Sequence, residues 1–127
     1  MIEELVTQFN ETYQVPVQTE PKAPYAKDAD LMWNAINEEL WELSEALDDK
    51  NPIEIADALA DIIYVTAQQA VKNGFPIGAL LREVHKSNMS KLDANGNPIF
   101  REDGKVLKGP NFKAPDIAGV LLKHQLS

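Results

Sequence analysis

The sequence contains no cysteine, which excludes a disulfide framework, a thiolate metal site and a cysteine nucleophile. Its two histidines, His85 and His124, stand far apart, outside any zinc-type spacing. It also lacks a Ser/His/Asp set and a glycine-rich phosphate loop. No apolar run approaches the ~18 residues that a membrane span needs. The opening Met1-Ile2-Glu3-Glu4-Leu5 lacks the basic start and apolar core of a signal peptide. These absences lead to the expectation of a cytoplasmic protein with no membrane partner. Basic residues are scarce as well: 12 Lys and Arg against 20 Asp and Glu, a net charge of −8. Such a chain repels phosphate backbones, so no nucleic acid polymer is expected as a partner.

What is present fits a globular protein. The 127 residues suffice for one domain, and the expectation is a single domain over 1–127. Charge is segregated along the chain. Residues 28–61 hold eleven acids and only Lys50 as a base, whereas residues 82–113 hold seven bases and four acids. An acidic centre followed by a basic segment can hold a cation and an anion together, as a nucleotide with its metal requires. The alternative is that the two regions differ in surface charge for solubility alone.

Helical periodicity dominates. Ile2, Leu5, Val6 and Phe9 predict a short helix over 1–13. Residues 14–27, with Pro16, Pro21 and Pro24, predict an ordered loop or extended arm. Asp28 or Asp30 should cap a helix reaching about Asp49, with Trp33, Ile36, Leu40, Leu43 and Leu47 as its core stripe. Asn51, Pro52 and Glu54 form an N-terminal signature resembling a capping box. The helix they open should run to about Asn73 and end at Gly74. Pro76 can open a fourth helix reaching about Ser90. Asp103-Gly104, between Ile99-Phe100-Arg101 and Lys105-Val106-Leu107, predicts a hairpin. Gly109-Pro110 and Pro115 predict an irregular stretch before a last apolar patch, Val120-Leu121-Leu122. The expected fold is all-α, a bundle of about four main helices with a small C-terminal β-hairpin.

The strongest chemical signal is Glu38-Glu39-Leu40-Trp41-Glu42, followed by Glu54-Ile55-Ala56-Asp57 and then Asp61. At about 100° per residue, Glu39 and Glu42 lie about 60° apart on one helix, and Glu54, Asp57 and Asp61 fall within a ~60° stripe on the next. Helices joined by a short Asn-Pro turn are usually antiparallel neighbours, so these carboxylates can converge. Clustered carboxylates repel one another unless a cation sits among them, and hard oxygen ligands suit Mg²⁺. A narrow polar stripe on an apolar helix is also what a solvated face looks like. Against that reading, Asp57 and Asp61 form a like-charge i,i+4 pair with no base four residues from either.

Glu-Glu-x-x-Glu, followed within two turns of the next helix by Glu-x-x-Asp, resembles the all-α nucleoside triphosphate pyrophosphohydrolases. That superfamily includes MazG-type enzymes, dimeric dUTPases and phosphoribosyl-ATP pyrophosphohydrolases. Ala58-Leu59-Ala60-Asp61-Ile62-Ile63-Tyr64 resembles its second metal-binding helix. His85-Lys86-Ser87-Asn88-Met89-Ser90-Lys91-Leu92 and the segment Gly104 to Asn111 resemble the phosphoribosyl-ATP pyrophosphohydrolase-like branch of bacteria and phages. The resemblance covers about residues 30–116. It implies Mg²⁺- or Mn²⁺-dependent attack of water on the α-phosphorus of a nucleoside triphosphate, releasing monophosphate and pyrophosphate. By position it assigns Glu39 and Glu42 as metal ligands, and Glu38 as a ligand to a second metal or as the base toward water. Asp61 takes the family's aspartate position, which leaves Ala58 where the family usually has glutamate; Asp57 can replace that carboxylate, with Glu54 as the other candidate.

The resemblance further implies that Asn88, Lys91 and Lys108 contact nucleotide, and Lys86 is expected with Asn88 and Lys91 on one side of the fourth helix or at its end. Each lysine is equally well read as a solvated surface residue. Asn34 and Asn37 stand one to two turns before the metal motif, in reach of a bound base, beside Trp33, which is either core or part of the base pocket. The resemblance suggests a purine deoxynucleotide such as dGTP, with phosphoribosyl-ATP, a modified nucleotide or a non-catalytic helical binding module as alternatives. It also implies a homodimer or homotetramer.

Overall fold

A computed structural model describes residues 1–126. The chain is helical, with five helices: α1 (Ile2–Thr12), α2 (Lys27–Asp48), α3 (Pro52–Lys72), α4 (Ile77–Met89) and α5 (Ile117–Leu126). It forms two compact units, Met1–Ile77 and a second from Gly78 onward. The charge segregation follows this division: the first unit carries 15 acids and four bases, the second five acids and eight bases. No helix among the described residues is long and apolar enough to cross a membrane.

In the first unit α3 packs against both α1 and α2. Val6 on α1 meets Ala67 and Val71 on α3, with Ile2, Tyr64 and Ile77 around them. Phe9 stacks edge-on against Tyr64, their ring centroids 5.8 Å apart. The Asn51 cap forms as expected: its side chain accepts hydrogen bonds from the amides of Ile53 (3.0 Å) and Glu54 (3.4 Å), and Pro52 starts α3. The reciprocal half of a capping box is replaced, since the Asn51 amide donates to Ala46 O instead.

The expected end of α3 also forms. Gly74 has φ of +80°, its amide donates to Val71 O, and the Phe75 amide donates to Ala70 O, a Schellman closure. The proline-rich arm of residues 14–27 is ordered against this end. Gln18 and Lys22 amides donate to Val71 O and Asn73 O. The fully buried Asn10 donates through Nδ2 to Pro16 O and Gln68 O, tying α1, arm and α3 together.

Three expectations need correction. Neither Asp28 nor Asp30 caps α2: Ala26 occupies the cap, and its carbonyl accepts from the Asp30 amide, so both acids lie inside the first turn and complement the helix dipole. The inward stripe of α2 is not the expected one either. Trp33, Leu40 and Leu47 are exposed, whereas Met32, Ile36, Glu39, Leu43 and Ala46 are half-buried or buried. The set is shifted by a fraction of a turn, and Ala46 on α2 and Ala58 on α3 are both buried.

The hairpin reduces to one antiparallel bridge, Phe100 with Val106, and no strand forms among the described residues. A tight turn with Gly104 in the left-handed region closes it, as the Gly104 amide donates to Arg101 O and the Arg101 amide to Lys105 O. Pro98 on one side and Gly109-Pro110 on the other stop the pairing from extending. As expected, the stretch from Gly109 to Pro115 is irregular, and the apolar patch Val120-Leu121-Leu122 follows it, within α5. Asp116 caps α5, its Oδ1 accepting from the Gly119 amide at 3.0 Å.

Candidate functional site

The inward rotation of α2 carries Glu39 into the packed face beside α3. One carboxylate oxygen each of Glu39, Glu42 and Asp61 lies within 4.8 Å of the others. Asp61 and Glu39 are half-buried and Glu42 is exposed. Glu39 Oε2 is shielded from solvent and has no hydrogen-bond partner. Burial pushes the Glu39 carboxyl above its ordinary range, aided by the charge of Glu42 and then by those of Asp61 and Glu38. An orphaned buried oxygen facing two further carboxylates is a donor set that fits a hard divalent cation such as Mg²⁺ or Mn²⁺. Glu38 stands at the surface beside this group.

Asp57 and Glu54 face a neighbouring cleft of about 310 Å³, with Glu42, Glu45, Asp49 and buried Ala58. Glu42 therefore belongs to both groups, lining the cleft as well as meeting Glu39 and Asp61. Sequence reasoning missed Glu45 and Asp49 as members of this second group. The available signal was their position just before the Asn51 turn, where antiparallel helix ends come together.

Trp33 is 72% exposed and Asn34 exposed, with Asn37 half-buried on the same helix. Trp33 is thus no core residue.

Within the second unit the basic residues divide. The Gly109 amide donates to Lys91 O at 2.8 Å, which draws Lys108 toward Lys91 and the end of α4, where Asn88 lies. Gly109 is required there, since a Cβ would come within 2.0 Å of Leu92 O. Lys108 Nζ sits 4.8 Å from the Phe112 ring centre. Lys86 does not share this side: at about 100° per residue it lies some 160° around the helix from Asn88, and it faces a cleft against α5 instead.

A comparison with curated proteins finds no match. A crystal structure from Exiguobacterium sp. 255-15, of a protein provisionally named an NTP pyrophosphohydrolase, is similar in fold, with a TM-score of 0.52 and 23% identity over 98% of this chain and 96% of that one. The sequence model of phosphoribosyl-ATP pyrophosphohydrolase matches residues 6–88, a span that includes both carboxylate groups. The chain belongs to the phosphoribosyl-ATP pyrophosphohydrolase family, within the all-α NTP pyrophosphohydrolases.

Proposed function

We propose that this protein is a metal-dependent pyrophosphohydrolase that splits the α–β bond of a (deoxy)nucleoside triphosphate, with dGTP as the leading substrate. The observation that carries the reading is the convergence of Glu39, Glu42 and Asp61 about the orphaned Glu39 oxygen, in a chain of this family. A divalent cation held there supplies charge neutralisation for the triphosphate and a more acidic water. Glu42, with Asp57 and Glu54, forms a second acidic group next to the first and is the natural holder of a second cation. Glu38, solvent-facing beside the cluster, accepts the proton of the attacking water. Asn88, Lys91 and Lys108 receive phosphate oxygens, and Trp33, Asn34 and Asn37 form the side of α2 offered to the base.

The test is product analysis. The protein is incubated with each dNTP and NTP, with Mg²⁺, Mn²⁺ or chelator, and the products are separated chromatographically. Monophosphate and pyrophosphate, lost with chelator, are expected; diphosphate with phosphate, or no turnover, overturns the reading. Phosphoribosyl-ATP belongs in the same panel, because the family description favours it as the second reading.

The catalytic form is proposed to be a homodimer or homotetramer. Support comes from an apolar load on α2 and α3 that one chain leaves in solvent: Trp41 is 65% exposed, Ile53 81% and Ile63 59%.

A further inference from the structure

The second unit contains a cleft that the proposed reaction does not use. It has a volume of about 660 Å³ and lies between α4 and α5, lined among others by Arg82, Glu83 and Lys86 from α4, and Asp116, Lys123 and His124 from the other side. Residues 82, 83 and 86 recur at helical spacing, so α4 presents them on one face.

The two acids in this cleft are already engaged. Glu83 Oε1 accepts from the Asp116 amide at 3.0 Å, and Asp116 Oδ1 accepts from the Gly119 amide at 3.0 Å. These bonds hold the start of α5 to α4. Gly119 makes room for them, since a Cβ there would meet Asp116 Oδ2 at 2.2 Å. The cations are not engaged. Among the described residues the ion pair is Arg101 with Asp103, and Arg82, Lys86 and Lys123 have neither an ion pair nor a hydrogen-bond partner. Arg82 and Lys86 stand one turn apart on α4, a like-charge i,i+4 arrangement that costs stability until an anion bridges it. The surrounding unit is positive, with eight bases against five acids.

A single phosphate is small for three cations spread over two helices around a space of this size. A chain of linked phosphates, with several charges along its length, fits better. We propose that the α4–α5 cleft binds a condensed-phosphate anion, pyrophosphate or a longer oligophosphate, free or as the tail of a nucleotide, through Arg82, Lys86 and Lys123. The site needs no divalent metal and none of the carboxylates of the first unit, so it does not rest on the proposed reaction.

The experiment is calorimetric titration of the full chain with inorganic pyrophosphate and with tripolyphosphate, in excess chelator. One saturable site per chain is expected, weakening between about 50 and about 300 mM salt as exposed charge pairs are screened. The variant R82Q/K86Q/K123Q should bind at least about tenfold more weakly, with an unchanged helical spectrum. The charge-keeping variant R82K/K123R should retain binding, and E39Q/D61N should bind as the parent does. No binding, equal binding by R82Q/K86Q/K123Q, loss in E39Q/D61N, or equal affinity for monophosphate and sulfate would each overturn the proposal. Competition by a nucleoside triphosphate in chelator assigns the nucleotide tail as ligand; its absence assigns the free condensed phosphate.

Discussion

Glu39 on α2 and Asp61 on α3 bring carboxylate oxygens to within 4.8 Å of each other, across the face along which the two helices pack. In the absence of a cation the pair is repulsive, and Glu39 Oε2 has no hydrogen bond to offset its burial. Saturating Mn²⁺ or Mg²⁺ is therefore expected to raise the melting temperature. A concentration one hundred times the dissociation constant contributes about 2.7 kcal/mol, a shift of roughly 5 to 10 °C for a protein of this size. Asp61→Asn should abolish most of that shift while leaving the metal-free protein as stable or more so. A metal response that survives in Asp61→Asn would show that the cation sits elsewhere.

The raised Glu39 carboxyl predicts a pH dependence of defined sign. A carboxyl whose folded pKa exceeds its unfolded value favours the folded state when protonated. That contribution is complete below the unfolded pKa and is lost as pH rises through the folded one. In chelator, Glu39→Gln is thus expected to be more stable than the parent at neutral pH, with the difference closing as the solution is acidified through the carboxyl range. Urea unfolding of both proteins across that range checks it; a difference that widens toward acid contradicts the assignment. Metal affinity should fall over the same range, as protons compete for the site.

Glu42 lines both acidic groups, whereas Asp57 lines only the neighbouring cleft. Glu42→Gln should accordingly be the most damaging single change, lowering kcat by about a thousandfold. Asp57→Asn should lower it by about ten- to a hundredfold. Steady-state kinetics across a metal titration separates the two, since the Asp57 variant should regain rate at high metal and the Glu42 variant should not.

Gly74 is held by two independent constraints. Its φ of +80° disfavours any side chain, and a Cβ would stand 2.2 Å from Glu20 O in the arm. Gly74→Ala is expected to cost about 2 kcal/mol or more, and removal of the Asn51 cap by Asn51→Ala about 1 kcal/mol. Chemical unfolding ranks the pair, and a Gly74→Ala variant as stable as the parent would mean that the arm does not dock on this turn.

If the exposed apolar residues of α2 and α3 meet a second copy of the chain, Trp41→Arg or Ile63→Arg shifts the protein toward monomer. Light scattering after gel filtration should show the parent at two or four times the chain mass. A monomeric parent would leave these side chains without that role.

Helix positions and the helix-stop chemistry were legible in the sequence, because they depend on contacts only a few residues apart. Asn51 caps α3 and Gly74 closes it through hydrogen bonds made within a few residues of each. The gathering of acids before and after the Asn51 turn was likewise visible, since a short link between helices constrains their neighbours. The sequence misled where one helix had to choose a face. By hydrophobicity, α2 should bury Trp33, Leu40 and Leu47; instead its packed face includes Glu39 and Ala46, because packing against α3 and not the apolar stripe decides which side turns inward. The same rotation separates the acids into a group around Glu39 and a second around Asp57, which periodicity alone draws as one stripe. Lys86 parts from Asn88 by helical rotation alone, and the structure adds that its side of α4 faces the cleft also lined by Asp116, Lys123 and His124. Which residues are acidic, basic or helical was local information; which of them share a site depended on which helix faces pack together, and that only the tertiary structure decides.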